Sequence, residues 1–267
     1  MKKLFKDGES ERVTVRVNKV IKLKAIIGKV FKHTPKSLVL FTILVASTLW
    51  SWGQHTIQLN HKYYTVQFDT VFCQGILNDY WQTTAHYNAL KTSAKVDRKT
   101  CASFTQDPLV PKRFQIVSQT DYNSYNKENP AHKINVGHIV PFEAMAFDPI
   151  AAKETMYFCS NTSFQDGFEN QHQWAFTEKG VLDDAATIDS IHVYTGVLIS
   201  LSHPKKYHNI FIGDYYFKIE IKGGKIASWL AVNDSTNTST KPNDAAIPID
   251  KLKAIILQYY PRLQLGF

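Results

Sequence analysis

The chain has 267 residues, 44% hydrophobic and 20% charged, a balance that describes one globular domain with an appendage and excludes a disordered polymer. Its net charge is +8, yet residues 1–36 hold 11 Lys/Arg and 3 Asp/Glu, which leaves 20 and 20 for residues 37–267. The whole excess lies in the leader, so overall basicity is no evidence for a nucleic-acid groove in the domain.

Met1–Lys36 interleaves apolar residues with lysines (VTVRVNKVIKLKAIIGKVF), as an amphipathic segment on an anionic inner leaflet or a solvated cytoplasmic tail would. Residues 37–58 read as a transmembrane or signal-anchor segment. No formal charge falls between Ser37 and His61, Leu38–Trp52 is mostly apolar, and Trp50 and Trp52 sit opposite the basic flank. The positive-inside rule keeps the N-terminus cytoplasmic and exports the remainder, periplasmic or extracellular, with the membrane as a partner. Two rivals stand: a cleaved secretory signal ending at Ser51-Trp52-Gly53, which gives a secreted domain, and a buried core helix.

Residues 59–267 form the domain. Lys62–Phe72 alternates and is rich in β-formers, Gly75–Asp79 reads as a turn, and Tyr80–Thr84 as the returning strand. Asp97–Pro111 reads as irregular surface chain and Asp121–Pro130 as a polar loop. Cys73, Cys101 and Cys159 allow either a Cys73–Cys101 bridge or three unpaired thiols; no CxxC or Cys/His spacing suggests structural zinc. Toward the C-terminus, Ser190–Leu201 and Asn209–Lys222 read as strands, with Gly223-Gly224 turning into Ile226–Val232. Asn233–Asn243 is a polar loop. Ile247–Tyr260 reads as a helix with an Asp N-cap, its Leu252, Ile255, Ile256 and Tyr259 stripe covering the sheet.

Between these lies Ile134–Gly180, the stretch on which the chemistry depends. A short apolar strand carries Gly137-His138-Ile139-Val140-Pro141, and Tyr157-Phe158-Cys159-Ser160-Asn161 delivers an asparagine among aromatics. Phe164–Gly180 has no proline and reads as a helix. At about 100° per residue, Asn170 and Glu178 project roughly 80° apart on it, with Trp174 as the packing residue. An imidazole on a strand end facing an amide and a carboxylate suits hydrolysis assisted by one hard metal ion.

The stretch resembles the DNA/RNA non-specific endonucleases, the ββα-metal class that includes endonuclease G. That family's pattern is Asp-Arg-Gly-His, then Asn near Pro-Gln, then an Asn nine residues later and a Glu eight further on. Gly137-His138, Asn161 with Gln165, and Asn170 with Glu178 match it, and both spacings are kept. The likeness runs over roughly residues 60–267. Asn135 and Val136 replace the family's Asp-Arg, and Leu182 stands where some members place a second arginine. Arginines there neutralise developing phosphorane charge, so rate and substrate are where this chain is expected to differ.

The resemblance implies an α+β fold: a central, mainly antiparallel sheet flanked by helices, with a ββα-metal unit at one edge; the charge and hydropathy reading above places an N-terminal transmembrane helix ahead of it. The resemblance also implies a metal-dependent endonuclease acting on DNA and/or RNA. His138 would be the general base, since a neutral imidazole accepts a proton near neutral pH. Asn170 would hold Mg²⁺, or Mn²⁺ in its place, and Glu178 would orient a metal-bound water. Asn161 is grouped with this catalytic set, although it and Gln165 are expected to position the loop or the His strand. Arg113 and Gln165 are the substrate-binding candidates. Lys112, Lys127 and Lys133 are further sources of a local basic groove. A nucleic-acid-binding relative that has lost catalysis, and a phosphodiesterase for another ester, are the alternatives.

Overall fold

The computed structural model describes residues 55–92, 95–101, 103–234 and 240–266. The basic leader and almost all of the expected membrane segment lie outside the described residues. Strand β1 (Thr56–Asn60) begins inside the range 37–58, so the domain's sheet starts a few residues earlier than expected. Among the described residues, no helix is long and apolar enough to cross a membrane.

The architecture is mixed α+β around a large antiparallel sheet. Its strands are β1, β2 (Tyr64–Asp69), β3 (Gln74–Gln82), β8 (Ile191–Leu198), β11 (Tyr215–Lys222) and β12 (Lys225–Val232), neighbours in that order. All five pairings are antiparallel. A second sheet orders β4 (Thr105–Gln106), β6 (Tyr157–Phe158), β7 (Thr162–Asp166) and β5 (Ile134–His138). A separate hairpin joins β9 (Lys205–Tyr207) to β10 (Ile210–Ile212).

The two faces of the large sheet differ, because side chains alternate along each strand. Leu77, Gly196 and Phe217 form one cross-strand row. Leu252 and Ile256 of the helix Ile249–Tyr259 pack in the same apolar cluster as Leu77, Phe217 and Ile219. The opposite face carries the register row Val66, Asn78, Thr195 and Lys218, all fully buried. Three of those four are polar, and the groups above them satisfy two. Asn78 Nδ2 donates to Asn161 Oδ1 at 3.0 Å, and Lys218 Nζ donates to Thr177 Oγ1 at 2.8 Å. Gln74 reaches across likewise, donating to the carbonyls of Cys159 and Thr162 at 2.8 and 3.0 Å. Burying amides and an ammonium is tolerable only with such partners, and those partners seat the second sheet and its following helix.

Several local expectations change. The chain reverses at residues 70–73 and not at Gly75–Asp79, which lie inside β3. There the Asp69 carboxylate accepts from the backbone N–H groups of Val71 and Phe72, a side-chain turn that outcompetes the glycine. Asp121–Pro130 is mostly helix, Gln119–Glu128. Ser118 N and Oγ both donate to Asp121 at 2.8 and 2.6 Å, and Tyr122 is buried 4.1 Å from the Phe164 ring. One apolar anchor per two turns escapes a periodicity search. Thr84, expected to end a strand, begins the helix Thr84–Leu90, capped by Thr83. Asn209–Lys222 breaks at Gly213-Asp214 into β10 and β11. The last helix starts at Ile249 after Pro248, leaving Asp250 in its first turn. All three cysteines are free thiols, so the Cys73–Cys101 bridge does not form. The Gly223-Gly224 hairpin turn is present, with φ of 53° and 74°.

Candidate active site

His138 ends β5, which pairs antiparallel with β7 so that Gly137 faces Ser163 and His138 faces Thr162. A Cβ on Gly137 would lie 2.1 Å from Gln165 Oε1. The glycine is therefore needed for close packing against the neighbouring strand, and its φ is not in the left-handed region. Gln165 itself is fully buried and donates to Glu169. It has no surface with which to touch substrate, and its contact is with the helix that follows.

That helix starts later than expected, because Phe164–Asp166 belong to β7. Gly167–Glu169, a π turn at Asn170–Trp174 and Ala175–Asp184 run on as one helical segment. Asp166 caps it, accepting from Phe168 N and Glu169 N at 2.9 and 3.1 Å. The π turn changes the angular relation of Asn170 to Glu178 from the regular-helix value, and such turns recur at functional sites. Trp174 is buried, as expected of the packing residue, with the Lys218 ammonium 4.5 Å from its ring centre.

The result is convergence. His138, Asn170 and Glu178 line one cleft of about 440 Å³, together with Asn135, Val136, Phe104, Glu143 and Arg98. A strand tip and two turns of helix, up to forty positions apart in sequence, meet around a single opening.

Asn161 does not share that cleft. Its side chain is fully buried and makes four hydrogen bonds. Oδ1 accepts from Val140 N and Asn78 Nδ2 at 2.8 and 3.0 Å, and Nδ2 donates to the carbonyls of Val140 and Thr155, both at 2.9 Å. Its backbone carbonyl accepts from Ile139 N at 2.8 Å. Asn161 thus clamps the chain just beyond His138, with its side chain enclosed away from the cleft. Asn161→Ala strands several buried partners, each worth about 1–3 kcal/mol. The expected result is a loss of about 3 kcal/mol or more in urea denaturation; a full midpoint with activity lost would instead make Asn161 a reacting group.

The arginine comes from a different place than expected. Arg113 lies exposed on the turn Lys112–Phe114, its guanidinium 4.7 Å from the Phe114 ring centre and away from the cleft. Arg98 lines the cleft, with its guanidinium 5.8 and 5.7 Å from the Phe104 and Phe142 rings. Val96, Cys101 and Phe104 anchor its loop against Phe142, Ala146 and Met156, and Val96 N donates to Ala146 O at 2.8 Å. Residues 37–267 contain three arginines, at 98, 113 and 262. Flanking apolar residues around Arg98 were the signal that its loop folds back.

Burial sets the protonation of the site. His138 is 8% exposed, and its Nε2 is buried with no hydrogen-bond partner among the described residues. Loss of solvation, aided by the Arg98 charge, depresses its pKa to about 3, so the imidazole is neutral around pH 7. Glu178 is half-buried, and desolvation raises it to about 7 against the opposing pull of Lys218 and Arg98. Desolvation likewise raises the buried Glu169 to about 8. Burial pulls the Lys218 ammonium down while Glu178, Glu220 and Glu169 pull it up.

These shifts have opposite signs in folding. His138 sits below its ordinary 6.5, so the unfolded chain binds the extra proton and His138's contribution drops as pH falls from about 6.5 to 3. Glu169 and Glu178 sit above their ordinary values, so their contributions drop as pH rises from about 4.5 toward 8. His138→Asn removes the first effect alone. The unfolding free energy of wild type relative to the variant, from urea denaturation, should fall on acidification by up to about 1.4 kcal/mol per pH unit between pH 6 and 4; parallel curves would show that His138 protonates freely.

The donor set fits a hard divalent cation. The Asn170 carboxamide and the Glu178 carboxylate offer oxygen ligands in a cleft open enough for bound waters, and among the described residues no thiol lines it. Among the same residues no three His, Cys, Asp or Glu side chains gather at one point. That sparseness suits an ion held by few protein oxygens and mostly by water.

Comparison with known proteins agrees with this geometry. A family model described as DNA/RNA non-specific endonuclease matches residues 48–256. A solved structure described as the EndoG/EndoGI complex, on the mechanism of EndoG inhibition, shares the fold. It is 19% identical, with a TM-score of 0.62 over 79% of this chain and 87% of that one. No curated protein matches the chain.

Proposed function

The chain belongs to the DNA/RNA non-specific endonuclease family, and from that premise we propose a metal-dependent phosphodiester hydrolysis with His138 as base. It is a nuclease of a metal-dependent family. The observation that carries the finer reading is the meeting of His138, Asn170 and Glu178 in one cleft with Arg98.

His138 takes the proton from the attacking water. Its neutrality keeps the accepting lone pair available, and the ring is buried beside Phe104, whose centroid lies 5.4 Å away. As the water oxygen bonds to phosphorus, the bond to the leaving oxygen breaks and charge grows on the equatorial oxygens. Arg98, held over two aromatic rings, supplies the guanidinium that Val136 and Leu182 do not. Asn170 would hold the divalent cation, Mg²⁺ in this reading or Mn²⁺ in its place, whose chemistry there is charge neutralisation and help for the leaving oxygen. Glu178 would orient a water on that ion. Asn161, Gln165 and Gly137 hold the strand that presents His138.

Plasmid nicking by the full chain tests this. Nicking in Mg²⁺ that stops with EDTA supports the reading; nicking unaffected by EDTA overturns the metal, and binding without cleavage overturns the enzyme's role.

A further inference from the structure

The catalytic cleft does not end at its metal-binding side. It shares Asn135 with a second concavity of about 570 Å³, lined by His132, Lys133, Phe168 and His172. That concavity shares His132 and Asp166 with a third of about 500 Å³, bordered by Lys205 and Lys206 of the β9–β10 hairpin. The three concavities adjoin one another through these shared residues, and only the first is lined by His138.

The floor of the second concavity is unusual for a solvent-facing helix. Phe168 is 38% exposed, and the His172 ring stacks on it at 4.1 Å and 18°. His172 Nδ1 also bonds the Phe168 carbonyl at 2.9 Å, fixing the imidazole plane. A pre-ordered pair of flat rings, partly exposed to solvent, can serve as a stacking platform that loses little entropy on binding. Lys133 lies beside it and Lys206 further along, its ammonium 4.0 Å from the Phe211 ring centre. Aromatic platforms flanked by cations are how proteins hold single-stranded nucleic acid without reading sequence. The balance of 20 cationic and 20 anionic residues over 37–267 adds weight: with little overall attraction for phosphate, stacking must supply part of the grip.

We propose that these adjoining concavities serve as a trough that holds the strand beside the scissile phosphate in single-stranded form, with one base stacked on Phe168–His172 and phosphates on Lys133 and Lys206. The inference rests on the nuclease reading above and gives it a preference for strands whose bases are free to unstack, with duplex cut more slowly. A base inside a duplex is already stacked and cannot use the platform without being flipped out.

The test uses the full-length chain carrying His138→Ala, in EDTA, so that nothing is cleaved. Labelled 12-nucleotide single strands of DNA and RNA and a 12-base-pair duplex are titrated by fluorescence anisotropy. Phe168→Ala should weaken single-strand binding about tenfold and duplex binding less than twofold, with Phe168→Trp restoring it. The salt slope should be unchanged by Phe168→Ala and lowered by Lys206→Gln, by about 0.7 for each phosphate the protein no longer neutralises. The basic leader is common to every variant and cancels from the ratios. Equal loss for duplex and single strand, or no loss, overturns the proposal. Cleavage of the labelled single strands by the parent chain in Mg²⁺ separates the two failures: a parent that cleaves while Phe168→Ala binds normally sinks the trough alone, and a parent that cleaves neither single strand nor plasmid sinks the reading beneath it.

Discussion

His138→Ala lowers plasmid nicking by about 10² to 10⁴-fold, the usual contribution of a positioned general base. The ring is buried against Phe104, and among the described residues no other imidazole lines the cleft, so no neighbouring histidine takes its place as proton acceptor. Truncation also leaves a cavity, and His138→Asn serves as control because it keeps most of the volume while losing the basic nitrogen. Both variants should retain a cooperative urea transition and both should be inactive. A folded His138→Asn with full activity would show that the base is elsewhere.

Arg98→Ala should cost about 10² to 10³-fold in kcat, the range seen when a donor to developing charge is removed from a preorganised site. Arg113→Ala should leave kcat unchanged, since Arg113 lies on an exposed turn outside the cleft. Arg98→Lys should recover only part, because a point charge lacks the planar fork that matches phosphate oxygens. The pair is diagnostic: loss with Arg113 and not with Arg98 would reverse the assignment of the cleft's cation.

What the sequence revealed, and what it hid, follows from the range of the interactions. His138, Asn170 and Glu178 were legible because their spacing lies within a single strand–helix unit and survives in the pattern. The π turn at Asn170–Trp174 left them in the same opening although it changes the regular-helix angle. Asn161 was legible as a positioning residue, but its four partners on three separate segments appear only in the fold. Arg98 was hidden because its placement depends on Val96 and Phe104 docking on residues 142–156, far along the chain. Gln165 misleads for the opposite reason: it was read as part of a helix and as a substrate contact, whereas it lies in β7 and fills the space above Gly137. The Gln119–Glu128 helix reads as a loop because its composition is polar and only Tyr122 is buried.

The central claim is that His138 and an ion held by Asn170 share one cleft. Histidine-selective NMR of the full chain with Mn²⁺ addresses it, the His138 resonance being identified by its absence in His138→Asn. The account predicts that Mn²⁺ broadens the His138 imidazole signal selectively and that Asn170→Ala abolishes the broadening at the same ion concentration. Broadening that persists in Asn170→Ala, or a His138 signal left sharp in the wild type while the enzyme turns over with Mn²⁺, would contradict it.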